Sequence, residues 1–459
     1  MSTHEFLLRS PMPVSAPELF AWHMRRGAFE RLAPPWEEPI VDSPWAPPTV
    51  GKTVDLQVPV APGVRFRWVS EFVEVRKDEM FRDVQQTGPF ASFDHQHKFE
   101  PAGPSASMME DRIKYSLLGG PLGGSLQHSM VRRKLEAAFA YRHRVLHADL
   151  TAHNRSTRLG LRVLISGATG LVGGTLVAFL QSGGHDVFRL TRRPPASDHE
   201  IEFDPAKGAA HPSEMEDFDA VVHLAGDSIA DGRWTAEKKK LIRDSRVPFT
   251  KRLAETLAAL KKPPRVFISA SAIGYYGDRA DRVLRESDPP GSGFLPDVCV
   301  EWEGATEPTS LAGIRVIHLR TGLVLTPKGG ALAPMLIPFK LGLGGPLGSG
   351  TQWWSPIALD DLIYLIHHII ITDGIRGPVN GTAPEAVTNA EFTRVLGRVL
   401  KRPAVIPVPK IALDLALGEM AEPLMFSSAR VNPEKALDSG FTFTYPTVEG
   451  TLRHVLGRV

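Results

Sequence analysis

The run Val163-Leu-Ile-Ser-Gly167-Ala-Thr-Gly170-Leu-Val-Gly173-Gly174 limits what this chain can become more than any other stretch. A short apolar segment of strand character meets glycines spaced three apart, and an apolar helical segment, Leu171 to Gln181, follows at once. Gly167 permits a tight turn, Gly170 lets main chain approach a diphosphate, and Gly173 lets the helix close on the strand. Unpaired amides at the helix start, around Thr169, Leu171 and Val172, would then hold phosphate oxygens. An ordinary glycine-rich strand-to-helix turn is the competing explanation, so the surroundings have to decide.

They favour a nucleotide. Arg162 to Ser166, Asp186 to Thr191, Ala220 to Ala225, Arg265 to Ala270 and Arg315 to Leu319 are short and apolar, as strands buried on both faces should be. Helical segments alternate with them, including Lys238 to Ala259 and Cys299 to Ala312, a rhythm that predicts a doubly wound parallel sheet. Where a carboxylate would accept hydrogen bonds from free ribose hydroxyls, the second strand ends in Arg192-Arg193. A guanidinium pair suits a 2′-phosphate, which predicts NADP(H) over NAD(H); two solvated arginines are the alternative. His223-Leu224-Ala225-Gly226 should end a strand beside the cofactor, its small residues allowing close approach.

Before residue 155 the texture differs. Thr53 to Val60, Phe66 to Val75 and Asp111 to Leu117 read as antiparallel strands, and Met130 to Ala152 as a long amphipathic helix packing Val131, Leu135, Phe139, Leu146 and Leu150 on that sheet. The expected division is a first domain over 1–154, a polar linker over 155–161, a nucleotide-binding domain over 162–400 and a C-terminal segment over 401–459 that completes the substrate side. With 53 Lys and Arg against 51 Asp and Glu, net charge gives no reason to expect nucleic acid as a partner. Cys299 is the single cysteine, which excludes an intrachain disulfide and fits a cytoplasmic setting. Leu362 to Ile371 is too short, and too interrupted by His367 and His368, to predict a membrane span.

Longer words then resemble the atypical and extended short-chain dehydrogenase/reductases, and within them the NAD-dependent epimerase/dehydratase-like family. They are GATGLVG at 167–173, HLAGDSIADGRW at 223–234, RDSRV at 243–247, FISASAIGYYGD at 267–278 and EWEGA at 301–305. LRTGLVL at 319–325, KGGALAPM at 328–335, LGLGGPLGSGTQWWS at 341–355 and NPEKALDSGFTFTYPT at 432–447 continue the likeness. PELFAWHMRRGAFERLAPPWE at 17–37, GPFASFDHQHKFEP at 88–101 and RRKLEAAFAYRHRVLHADL at 132–150 resemble a START-like or polyketide-cyclase-like domain. That likeness implies an α+β helix-grip fold around an apolar cavity, holding either a hydrophobic small molecule or only its own side chains.

Family reductases use Tyr-x-x-x-Lys as a proton relay, but none of the tyrosines at 115, 141, 275, 276, 364 and 445 has Lys four residues on. Leu295 and Cys299 stand where that pair would be. The resemblance leaves Ser269 and Ser271, at a strand end beside the nicotinamide, with a phenol from Tyr275 or Tyr276 as a further candidate. Strand-end hydrogen bonding would explain the serines equally simply, and loop packing the tyrosines.

Arg233, Trp234, Arg243 and Arg246 are candidates to recognise an anionic or ring-bearing substrate, unless they serve a solvated helix. Leu341 to Gly350 with Trp353 and Trp354 suggests either a substrate-side lid or a packing loop. Ser355-Pro-Ile-Ala358 departs from the family's Trp-Ile-His run, and His367-His368 reads as structural, so no metal is expected. Two functions remain: an NADP(H)-dependent oxidoreductase or sugar-epimerase-like enzyme on a small molecule, or a non-catalytic NADP(H) sensor or scaffold.

Overall fold

In the computed structural model the described residues are 3–458, apart from 38, 39, 43, 44, 62, 119–123, 157, 159 and 210. The expected linker at 155–161 therefore lies partly outside them. The chain divides into two compact units, Met1–Leu159 with Ala178–Gly184 and Leu456–Val459, and Gly160–Val177 with His185–Val455. Residues 401–455 thus belong to the body of the second unit.

The first unit is one antiparallel sheet with helices. Its elements are β1 (Thr3–Met12), α1 (Ala16–His23), α2 (Ala28–Leu32), β2 (Ile40–Val41), β3 (Thr53–Ala61) and β4 (Val64–Arg76). They continue with β5 (Met80–Thr87), β6 (Ser92–Gly103), β7 (Ala106–Ser116) and α3 (Gly124–Asn154), in the sheet order β1-β7-β6-β5-β4-β3-β2. α3 buries Ala138 and Phe139 against Phe6, Phe93, Ile113 and Tyr115, and Leu146 and Leu150 against Met12, Phe81, Phe99 and Met109. Arg31 on α2 and Asp149 on α3 form a bidentate ion pair at 2.8 Å, fully buried, so neither charge is left uncompensated.

The second unit alternates strand and helix: β8 (Arg162–Ser166), α4 (Leu171–Ser182, of which the part up to Val177 falls in this unit), β9 (Asp186–Thr191), β10 (Glu200–Asp204), β11 (Gly208–Ala209) and β12 (Ala220–His223). After these come α5 (Ala236–Asp244), α6 (Val247–Ala258), β13 (Val266–Ala272), and later strands over Arg315–Thr321 and Gly377–Gly381. The order β11-β10-β9-β8-β12-β13, then those two strands, is parallel except at β11. Strand order reverses between β8 and β12, opening the crevice at the carboxyl ends where such sheets bind ligands.

Three boundaries differ from expectation. Lys238 to Ala259 is two helices, because Pro248 has no N–H to continue the first and instead occupies the first turn of the second. Cys299 to Ala312 is likewise α7 (Phe294–Gly304) and α8 (Glu307–Leu311), with Pro308 in the first turn of α8. β12 stops at His223, so Leu224 and Ala225 lie beyond the strand. Among the described residues no helix is long and apolar enough to cross a membrane.

Gly173 is where helix meets turn. A Cβ built there would lie 2.1 Å from the Gly167 carbonyl oxygen, whereas one at Gly174 would meet its nearest neighbour, the Ala168 oxygen, at 3.6 Å. We expect Gly173→Ala to cost about 3 kcal/mol or more and Gly174→Ala to be neutral or to stabilise by about 0.5–1 kcal/mol, both read by denaturant unfolding. Equal effects would contradict the close approach.

Candidate functional site

The dinucleotide corner begins with Gly167 at φ +68°, where a Cβ would stand 2.8 Å from the carbonyl carbon of Leu224. Glycine is therefore required twice over, by backbone conformation and by the chain leaving β12. The turn closes with the Gly170 amide on the Gly167 carbonyl at 3.0 Å, and Gly174 bonds back to Gly170 at 2.8 Å. Among the described residues the amides of Leu171, Val172 and Gly173 have no acceptor. Three free donors at the positive end of a 12-residue helix fit a diphosphate.

Neighbouring strand ends are pinned. Ser166 and His223 Nδ1 are 2.6 Å apart, His223 Nε2 lies 3.0 Å from Thr250, and Trp302 donates its indole N–H to Thr250 at 2.9 Å. Burial pushes His223 down to about 3, so it is a neutral strut. Arg246 fills the space above Gly226, donating to the Asp227 carbonyl at 2.8 Å with its guanidinium 5.1 Å from the Trp302 ring. At the end of β9, Arg192 and Arg193 are exposed, and among the described residues neither guanidinium has a carboxylate partner.

The strand-end serines differ. Ser269, 1% exposed, has among the described residues only a 3.4 Å local contact to the Ala270 carbonyl. Ser271 donates to Glu303 Oε1 at 2.7 Å, and Glu303 also grips Arg320 through two contacts of 2.8 Å. Arg320 lies 3.5 Å over the Tyr275 ring and donates to the Tyr276 hydroxyl at 3.0 Å, which in turn donates to Asn380 at 2.7 Å. Burial opposes the charge on Arg320, but Glu303 outweighs it and raises its pKa. Burial pushes the Tyr276 phenol up to about 12, and burial with Glu303 pushes the Cys299 thiol up to about 12. Both are fixed as neutral acids at physiological pH, so neither is a thiolate or phenolate base.

Several substrate candidates are already engaged. Arg233 caps the Leu415 and Ala416 carbonyls at 2.6 and 3.1 Å, Arg243 pairs with Glu301 at 2.6 Å, and Trp234 is buried beside Ile242 and Met420. The Leu341 to Gly350 loop is stitched to the chain opposite it, through Ile406 to Gly344, Val408 to Pro346 and Gly348 to Val408. Trp354 meets Phe392 edge-on and Trp353 lies under Arg430, so both indole rings pack on protein. Glu303 and Arg320 were missing from the sequence-derived set; the acid of EWEGA and the arginine of LRTGLVL were the available signal.

Comparison with known proteins agrees with this geometry. The profile of the NAD dependent epimerase/dehydratase family matches residues 163–376, and a domain of unknown function matches 408–455. An epimerase family protein of Mycobacterium bovis is 41% identical over 296 residues, covering 64% of this chain and 98% of that protein. Human epimerase family protein SDR39U1 is 32% identical over 301 residues, 64% of this chain and 100% of that protein. The crystal structure of the nucleoside-diphosphate sugar epimerase from Corynebacterium glutamicum aligns with TM-score 0.80 at 32% identity, covering 98% of this chain and 90% of that one. Human SDR39U1 isoform 2 with NADPH aligns with TM-score 0.59 at 31% identity, covering 65% and 100%.

Glu303→Gln leaves the Arg320 guanidinium, whose side chain is 3% exposed, without a compensating charge. We expect a loss of about 3 kcal/mol in denaturant unfolding. A loss below about 1 kcal/mol would show that the pair behaves as a solvated one.

Proposed function

Because this chain belongs to the NAD-dependent epimerase/dehydratase family, we propose that it binds NADP(H) and carries out hydride transfer on a hydroxyl- or carbonyl-bearing small molecule. The observation that carries the reading is the free-amide corner at Leu171 to Gly173, beside a β9 whose exposed end offers two arginines and no acid. The human relative's NADPH complex supports the same choice. Gly167, Gly170 and the first turn of α4 would hold the diphosphate, Arg192 and Arg193 the 2′-phosphate, and Leu224 to Gly226 and Ser269 the inner half of the cofactor. Bound there, the cofactor supplies hydride chemistry at its nicotinamide.

Ser271 and Glu303 stand in for the missing relay. Since the Ser271 hydrogen is committed to Glu303, its oxygen is left as an acceptor, suited to an incoming substrate hydroxyl. In oxidation the substrate's hydroxyl proton passes to Ser271 while the Ser271 proton passes to Glu303; reduction reverses both moves. Tyr275 serves as a ring wall under Arg320.

The first unit is assigned in this reading to the START-like helix-grip class, on the sheet and α3. A cavity of about 20 Å³ lies between His23, Leu32, Met109 and Leu146, room for one water and far below a hydrophobic small molecule. A second reading, a dinucleotide sensor, is favoured by Leu295 and Cys299 at the relay positions and by the pinned Tyr276.

Calorimetric titration of the Arg192→Ala/Arg193→Ala double variant is expected to weaken NADPH at least about tenfold with little change for NADH; equal weakening would reject the NADP(H) assignment. With the cofactor and a panel of alcohols and carbonyls, Ser271→Ala should lower kcat about 100-fold and leave NADPH affinity unchanged. No turnover with any panel member, together with NADPH-dependent hydrogen-exchange protection in residues 3–118, would favour the sensor.

A further inference from the structure

The first unit holds a second concentration of chemistry that the dinucleotide reading does not use. β5, β6 and β7 lie side by side, and their register sets Asp83 opposite His95 and His97 opposite Asp111. Side chains two apart on a strand share a face, so His95 and His97 point the same way. α3 adds His143 to that face. Asp111, 2% exposed, receives His95 Nε2 at 3.0 Å and His143 Nε2 at 2.6 Å, with His97 Nδ1 at 2.7 Å.

These contacts select tautomers. With its Nε2–H on Asp111, His95 presents a bare Nδ1, which faces Asp83 Oδ1 at 3.7 Å. Two lone-pair acceptors facing each other in a buried site repel unless a proton or a cation lies between them. Two donors each about 2.1 Å from a tetrahedral ion would stand roughly 3.4 Å apart. His23 repeats the pattern: its Nδ1 contacts the Leu19 carbonyl at 2.8 Å, and its buried Nε2 has no partner among the described residues. His23 and His97 line the cavity of about 20 Å³, as does Arg142, whose buried Nε also lacks an acceptor.

We propose that Asp83, His95 and His97 bind a divalent transition-metal ion, Zn²⁺ being the best match to a carboxylate–imidazole donor set, with water in the adjoining cavity as fourth ligand. Asp111 is then the outer carboxylate that orients the imidazoles, the usual partner of a metal-bound histidine. Arg142 offers a donor to the bound water, and His23 an acceptor for its proton. Asp83 and His97, 15% and 13% exposed, give the ion its way in. Imidazole–carboxylate hydrogen bonding alone leaves the His95 and Asp83 lone pairs opposed unless a proton takes the place of the ion, the outcome that an absence of Co²⁺ binding would report. His95-Gln-His97 carries no metal signature in sequence, because the carboxylates that face it lie on two other strands.

The test uses the full chain, stripped with a chelator, dialysed and titrated with Co²⁺ and then Zn²⁺. Saturation at one ion per chain, visible d–d absorption of a tetrahedral site, displacement by Zn²⁺ and a thermal midpoint raised by several degrees are expected. Asp83→Asn and His97→Gln should each weaken Co²⁺ at least tenfold. Absence of saturable binding in a folded stripped chain, or unchanged affinity in both variants, would overturn the site. If neither variant folds, X-ray absorption on the Zn²⁺-loaded wild type decides: two imidazoles in a four-coordinate shell support the assignment, and a shell without imidazole rejects it.

Discussion

Main chain touching main chain, with no side chain between, is the constraint from which the second unit is built. α4 starts so close to the turn after β8 that one methyl group at residue 173 would sit 2.1 Å from the Gly167 oxygen, and the same turn leaves no room for a Cβ beside Leu224. As at any helix start, the first amides of α4 lack a main-chain acceptor among the described residues, and they remain available at the reversal point of the sheet. Ordinary packing would tolerate small side chains here; a binding corner made of peptide groups does not.

The opposite side of the crevice is organised by charge. Glu303 takes Ser271 and Arg320 together, and Arg320 ties Tyr275, Tyr276 and the Glu286 carbonyl into the same assembly. A buried guanidinium must be satisfied on every N–H it presents, so removing any one partner leaves a desolvated donor behind. Where reductases carry a tyrosine–lysine relay, this chain has a polar lattice in which one carboxylate holds both a serine hydroxyl and a guanidinium.

What could be read in advance was local. Strand, glycine turn and helix follow one another within 20 residues, so hydrophobic period and glycine spacing were enough to place the corner and the parallel sheet. Pro248 and Pro308 were visible too, but apolar spacing ran across both and hid the helix breaks they impose. Glu303 and Arg320 escaped notice because their meaning depends on a pairing between a helix and a strand 17 residues apart, and on a serine 32 residues earlier. The His–Asp face of the first unit had the same difficulty: its members become neighbours only once strand register is known.

The polar lattice also carries a timetable. Ribosomal synthesis proceeds from the amino end, and the pieces of the phosphate corner are all present by Gly226, whereas Tyr276 finds its acceptor only when Asn380 has emerged and its strand has joined the sheet edge. A chain ending between those points would lack the acceptor that holds the Tyr276 hydroxyl. The contact that closes the lattice thus joins residues 104 positions apart, whereas the glycine turn closes within three.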